Sequence, residues 1–199
     1  MAPDSLRPPE VPERLLSAGN WSPLESRAET LATLPAARVE GATQVYEDES
    51  LRERVGAATG VDRTWRFVFA TRVVFSPPLA PGIGTAMVRP MVSSEAHRAF
   101  LDDLGERGFV DVARDRNERI RTSAGDRVRL QSYRGRLPVE DERALAVEGW
   151  LGVWSTDGEF RIAGGAYPTD LRELVGEGVE VPTPQASRDD LVRFVRAVS

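Results

Sequence analysis

The chain contains no cysteine among its 199 residues. Disulfides, thiolate nucleophiles, iron–sulfur clusters and thiol-linked lipids are excluded with it. It contains no lysine either: all 26 basic residues are arginine. A phosphate-loop lysine, Schiff-base chemistry and a biotinyl or lipoyl carrier are therefore absent. His97 is the single histidine, so a multi-histidine zinc site cannot be assembled. Long apolar runs are missing as well. No stretch reaches the roughly eighteen apolar residues that a membrane-spanning helix needs. The opening MAPDSLRPPEVPERLL has no apolar run behind a basic start, unlike a signal peptide, and the expected location is the cytoplasm. Nor is there an excess of positive charge: 26 basic against 31 acidic residues give a net charge of −5. That balance argues against nucleic acid and against an acidic membrane surface as partners. No motif calls for a cofactor.

What remains is the makeup of an ordinary globular domain, 41% hydrophobic and 29% charged. A compact chain of this length buries roughly 70% of its unfolded surface, enough for a core without cross-links. Residues 1–20 are expected to be a flexible arm, since positions 1–13 hold four prolines and few apolar groups. Residues 21–199 are expected to be a single domain.

Local signals predict the elements. Ser22, Pro23 and Glu25 form a capping box with proline at the first helical position, so a helix is expected there, with Leu24, Ala28 and Leu31 as its stripe and Pro35 at its end. Residues 38–46 are a predicted strand. Ser50 and Glu53 predict a short helix that Gly60 closes. Residues 63–75 give the clearest alternation: Trp65, Phe67, Phe69, Thr71, Val73 and Phe75 share one face. Pro77 to Gly84 read as a rigid loop, followed by a short strand near 85–91. A helix from Ser93 to about Arg107 follows, with Ala96, Phe100 and Leu104 inward and Gly108 as its stop. Strands are expected near 109–113, 117–122, 127–136, 146–156 and 159–167, then a short helix near 170–175. Ser187 and Asp190 predict a capped final helix with Leu191, Phe194, Val195 and Val198 inward. Consecutive strands with short connections predict an α+β fold: a mainly antiparallel sheet of about six strands with flanking helices.

Two hairpins carry the candidate binding residues. Asp157-Gly158 predicts a two-residue type I′ turn. The resulting register pairs Trp154 with Arg161, Val153 with Ile162, Gly152 with Ala163 and Trp150 with Gly165. Leu151, Val153, Phe160 and Ile162 then form one aliphatic face. Trp150, Trp154 and Arg161 share the other with three small residues, and Arg161 is placed for a cation–π contact with Trp154. That face is either an open aromatic groove for a partner or the bed of the C-terminal helix. The second hairpin, around Ser123 to Asp126, sorts its side chains only with a five-residue loop or a bulge near Gly125. Ile120, Val128 and Leu130 then face the core, and Arg119, Arg121 and Arg129 line the outer side with Gln131 and Tyr133. Guanidinium groups match carboxylate and phosphate geometry. The alternative is a solvated face neutralised by acids such as Glu118 and Asp126.

Other motifs are weaker. Gly82-Ile83-Gly84 lacks the third glycine and the following helix of a phosphate loop. His97 belongs to a helix face beside Leu101 and Leu104, and no G-x-S-x-G accompanies it. The carboxylates Asp102-Asp103, Glu140-Asp141-Glu142 and Asp189-Asp190 sit in polar or capping contexts that select no catalytic pair.

The lysine-free, cysteine-free, arginine-plus-acid composition resembles that of conserved proteins of salt-loving archaea, and also suits a GC-rich genome. The order of elements, with TWRFVFATRVVF, SSEAHRAFLDDLGERGF, a strand pair ending in VRLQSYRG, GWLGVWSTDGEFRIAGGAYP and a closing helix, resembles the Mog1/PsbP-like α/β sandwich. The resemblance spans about four-fifths of the chain and implies a binding or assembly role over catalysis. Two functions stay open. One is a non-enzymatic interaction domain using the Trp150/Trp154 face on a protein partner. The other is a binder or enzyme for a small anionic ligand using Arg119, Arg121 and Arg129.

Overall fold

Side-chain alternation organises the computed structural model, which describes residues 6–33, 37–79, 84–139 and 143–199. Seven strands form one antiparallel sheet: β1 Trp21–Thr33, β2 Arg38–Asp48, β3 Phe67–Ser76, β4 Val110–Arg121, β5 Arg127–Pro138, β6 Ala144–Thr156 and β7 Glu159–Pro168. Their order across the sheet is β1-β2-β3-β7-β6-β5-β4. Five helices among the described residues flank it: α1 Glu13–Ala18, α2 Glu49–Thr59, α3 Thr85–Glu106, α4 Leu171–Val175 and α5 Pro184–Ala197. The α+β class matches the expectation, with seven strands in place of six. The expectations for Pro35, for residues 80–83 of the proline-rich loop and for Glu140-Asp141-Glu142 lie outside the described residues.

The seventh strand is β1, which the local signals assign to a helix. A cap contributes only about 1 kcal/mol. Pairing with β2 from Trp21↔Asp48 to Thr33↔Arg38 satisfies the backbone of the whole segment. As an edge strand β1 is largely exposed, so it lacks the apolar alternation that betrays an inner strand. Pro23 sits beside a register shift, a position where a strand tolerates proline. A second correction concerns residues 85–91, which are helical: α3 is one helix of 22 residues with Pro90 inside it. A short apolar run does not distinguish strand from helix by period alone. The expected inner stripe holds and gains a residue, reading Val92, Ala96, Phe100 and Leu104. Gly108 follows at φ +86°.

Two caps also shift. The α2 cap is Asp48, whose Oδ1 accepts from the Leu51 amide at 2.9 Å, while Ser50 donates its hydroxyl to the same oxygen at 3.0 Å. α5 begins behind Thr183, whose hydroxyl oxygen accepts from the Ala186 amide at 3.1 Å. Ser187 lies buried within the helix. The two short strands expected at 109–122 are one strand, β4, with register shifts at 110–113 and 114–117.

The sheet separates two cores. On one face Phe67, Val73, Leu151, Phe160 and Ile162 pack with Phe100 and Leu104 of α3, Leu51 of α2 and Leu171 of α4. On the other, Val68, Trp150, Trp154 and Tyr167 pack beneath Leu191, Phe194 and Val195 of α5. Val11, Leu15 and Leu16, within the segment expected to be a flexible arm, also pack on this second core. One buried cation ties the ends together. Arg66 donates to Asp48 at 2.8 Å, to Asp190 at 3.2 Å and to the Gly19 carbonyl at 2.8 Å. Its guanidinium lies 4.5 Å from the centre of the Trp21 ring.

β7 is gripped between β3 and β6, and two glycines permit it. A Cβ at Gly165 would lie 2.1 Å from the Phe67 carbonyl oxygen, and one at Gly164 would lie 2.2 Å from that of Trp150. Neither oxygen can retreat, because each belongs to the backbone of a paired strand. Gly165→Ala is expected to lower stability by about 3 kcal/mol, the upper end of the usual cost of overpacking. Gly105→Ala, on α3 with nothing within 4 Å of the added carbon, is expected to raise it by up to about 1 kcal/mol. Denaturant midpoints of the two variants check both signs.

Candidate functional site

α3 packs on β4, β6 and β7. Phe100 sets its position, with ring centroids 5.4 Å from Tyr133 and 5.8 Å from Phe69. His97 and Tyr133 add a hydrogen bond, Nδ1 to hydroxyl at 2.5 Å. Burial and then nearby Arg114 hold the His97 imidazole below its usual pKa, and burial pushes the Tyr133 phenol up.

Over β1, β2 and β3 the helix does not seal the sheet. A cavity of about 480 Å³ opens there. Val92, Ala96 and Phe100 of α3 cover it, the exposed Met91 and Ala99 edge its mouth, and Val45, Phe67, Phe69 and Val73 form most of its floor. Two polar groups interrupt that floor. Thr43 and Thr71 are cross-strand partners, both buried, with hydroxyls 2.9 Å apart. Charges gather at the rim, and each is already paired. Arg27 contacts Glu25 at 3.4 Å and Glu29 at 3.1 Å. Arg107 bonds Asp103 at 2.8 Å and stacks 4.3 Å from the Phe67 ring centre. Glu95 takes a hydrogen bond from Arg98, which lowers its pKa. Among the described residues no group of three or more carboxylates and histidines is placed to hold a metal ion. Chemically the cavity can enclose a mainly apolar molecule and offer it two neutral hydroxyls.

The residues singled out from sequence lie elsewhere. Trp150 and Trp154 face the second core, and α5 covers them almost completely. The predicted pairing of Trp154 with Arg161 and Trp150 with Gly165 is present, but the face is no open groove. Arg161 does not stack on Trp154; it donates to Glu159 at 2.9 Å. The guanidiniums over an indole here are Arg116 and Arg188, 5.1 and 5.4 Å from the Trp150 ring centre. The Trp150 indole donates to the Tyr167 hydroxyl at 3.3 Å, which donates to Glu148 at 2.5 Å. Burial together with that bond raises the Tyr167 pKa.

Arg119, Arg121 and Arg129 are exposed on the opposite side of the sheet from Ile120, Val128 and Leu130. The hairpin loop has the expected five residues between Arg121 and Arg127. Register sets Arg119 opposite Arg129 and Arg121 opposite Arg127. Arg121 reaches the Gly125 carbonyl at 3.1 Å and Arg129 reaches Asn117 at 2.7 Å. Among the described residues none of these four makes an ion pair, and Glu118, expected to neutralise them, pairs with Arg188 instead.

Sequence reasoning missed the cavity residues Thr43, Thr71, Met91 and Ala99. One signal was visible. In the alternating stripe Trp65-Phe67-Phe69-Thr71-Val73-Phe75, Thr71 is the only polar member. Met91 and Ala99 had no comparable mark, because their role depends on where α3 lies.

The fold is thus a two-faced antiparallel α+β sandwich with an apolar cavity under its longest helix. The chain belongs to the family described as a domain of unknown function, DUF6517, whose sequence profile matches residues 8–199. No curated protein matches it. Among solved structures, a similarity is found to the di-domain ARO/CYC StfQ from the steffimycin biosynthetic pathway, at 11% identity over 93% of this chain and 92% of that one. The TM-score is 0.20, and the likeness carries no argument about fold or function. Among the described residues no helix is long and apolar enough to cross a membrane.

His97 generates a prediction with a definite sign. Its folded pKa lies below the usual 6.5, so as pH falls past that value the unfolded chain takes up the proton first. Stability from this group is complete above about pH 6.5 and is lost as pH falls towards the lower folded value. His97→Gln is expected to show a shallower loss of stability between about pH 7.5 and 5.5 than the parent chain, measured by chemical denaturation at several pH values.

Proposed function

We propose that the chain is a non-enzymatic binding domain that holds a small, mainly apolar molecule between α3 and the β1–β3 half of the sheet. The observation that carries this reading is the cavity of about 480 Å³. Its size falls within the range of roughly 300–1,000 Å³ used by small-molecule sites, and its lining has the usual character of apolar walls with a few fixed polar groups. Its floor is rigid, because β2 and β3 pair without a register break from Arg38↔Ser76 to Glu47↔Phe67. The resemblance of element order to the Mog1/PsbP-like sandwich favours binding over catalysis by analogy alone.

A second reading rests on the cross-strand pairs Arg119↔Arg129 and Arg121↔Arg127. Like charges directly opposite one another cost roughly 0.2–1 kcal/mol per pair. A small polyvalent anion on that face would relieve the repulsion.

The neutral dye N-phenyl-1-naphthylamine tests the first reading. Its fluorescence should rise on binding the native chain. Ala99→Trp, which sets an indole at the mouth of the cavity, should weaken binding at least tenfold at unchanged melting temperature. Ala113→Trp, on the exposed face of β4, should leave it unaltered. For the second reading, citrate or pyrophosphate at constant ionic strength should raise the melting temperature. Arg119→Gln combined with Arg129→Gln should abolish that shift while stabilising the anion-free protein by up to about 1 kcal/mol. An anion effect that survives the double substitution removes this face from consideration.

A further inference from the structure

We infer that the ligand of this cavity is neutral and mainly apolar, and carries one hydroxyl or carbonyl group that bonds to the Thr43–Thr71 pair. The inference rests on the cavity being a binding site, and it specifies the ligand's chemistry.

The floor decides the polar group. Two hydroxyls together hold two protons and four lone pairs. Their mutual bond at 2.9 Å uses one proton and one lone pair. Neither hydroxyl makes another hydrogen bond among the described residues, although Thr43 and Thr71 are only 7% and 6% exposed. Ile162 lies across from Thr71 and offers nothing in return, and Arg27, across from Thr43, is turned to Glu25 and Glu29. A pure hydrocarbon filling the cavity would exclude water from the spare O–H and leave it unpaired, which is the expensive outcome for a buried donor. A ligand hydroxyl or carbonyl oxygen accepts that proton. A ligand hydroxyl can in addition donate to the remaining lone pairs.

The rim decides the charge. An anion would need a free cation, and Arg27 and Arg107 are each held by a carboxylate. A cation would need a free carboxylate, and Glu95 and Asp103 are each held by an arginine. A charged head group at the floor would lie against mainly aliphatic and aromatic walls, and the guanidinium nearest Thr43, that of Arg27, is already held by Glu25 and Glu29, so an ionised group there is disfavoured. Neutral ligands escape both costs.

Displacement of N-phenyl-1-naphthylamine by four matched probes tests this: naphthalene, 2-naphthol, 2-acetylnaphthalene and 2-naphthoate at neutral pH. The parent chain should bind 2-naphthol and 2-acetylnaphthalene about tenfold or more tighter than naphthalene, and 2-naphthoate weakest. Replacing both threonines together, Thr43→Val with Thr71→Val, removes both polar atoms and keeps branched side chains of similar volume. This double variant should bind naphthalene more tightly than the parent chain does, because no hydroxyl is left unpaired, and lose the preference for the alcohol and ketone to within about twofold. Thr71→Ser, which retains the hydroxyl, should keep the preference. Equal binding of naphthalene and 2-naphthol by the parent chain, or tighter binding of 2-naphthoate, overturns the inference while leaving the cavity as a binding site. No dye binding at all, or dye binding insensitive to Ala99→Trp, overturns the binding reading and this inference with it.

Discussion

A single helix cannot cover a seven-stranded sheet. Strands lie about 4.8 Å apart, so the sheet is roughly 29 Å wide, whereas a helix with its side chains is about 10–12 Å across. α3 is much the longest helix on its face, and it must choose a side. It settles on the β4–β7 half, where Tyr133 receives Phe100 edge-on and Gly149 lets the same ring approach within about a side-chain contact of the backbone. α2 and α4 add to that face through Leu51, Val55 and Leu171. The interval between α3 and the β1–β3 half is what remains. The cavity is therefore a product of widths and of one aromatic anchor, and its walls are apolar because they are the uncovered continuation of a core-facing surface.

The opposite face meets the same problem with a different solution. Two indoles and Tyr167 fill much of it, and the amphipathic α5 lies on top with α1 alongside. Polar atoms in that core are linked in a chain from Trp150 through Tyr167 to Glu148, with Arg116 reaching Glu148 from outside at 3.0 Å. Arginine suits these junctions because its planar fork bonds and stacks at once, as Arg188 does between Glu118 and the Trp150 ring. In a chain without lysine, many of its arginines are engaged in such contacts, whereas Arg121 and Arg129 of the hairpin cluster reach only a carbonyl and an amide oxygen among the described residues.

Much of the sheet was legible because strand period is an integer. Asp157 at φ +51° and Gly158 at φ +80° form the predicted turn, and every residue pair read from it is present. The five-residue loop with Gly125 at φ +95° likewise follows from sorting Ile120, Val128 and Leu130 onto one side. Alternation tells which residues share a face and says nothing of what lies against that face. Trp150 and Trp154 were therefore placed together correctly while their cover, α5, was left open. β1 escaped because an exposed edge has no apolar period, and the first turns of α3 escaped because Val88, Met91 and Val92 fit either element. The cavity depends on the distance between α3 and β2, which no local pattern encodes, and Thr71 alone left a trace of it.

Arg66 has a consequence for the limits of the domain. Its three hydrogen-bond acceptors come from Gly19, Asp48 and Asp190, and Asp48 also starts α2. One guanidinium thus fastens the segment ahead of the first strand to the closing helix, an ionic rivet in a chain that has no sulfur bridge to perform that task. Trimming the polypeptide beyond Gly19 from one side, or before Asp190 from the other, leaves Arg66 on Asp48 but takes one of its buried acceptors away. The ends of the chain are thus tied to the middle of the sheet by the coordination of a single side chain.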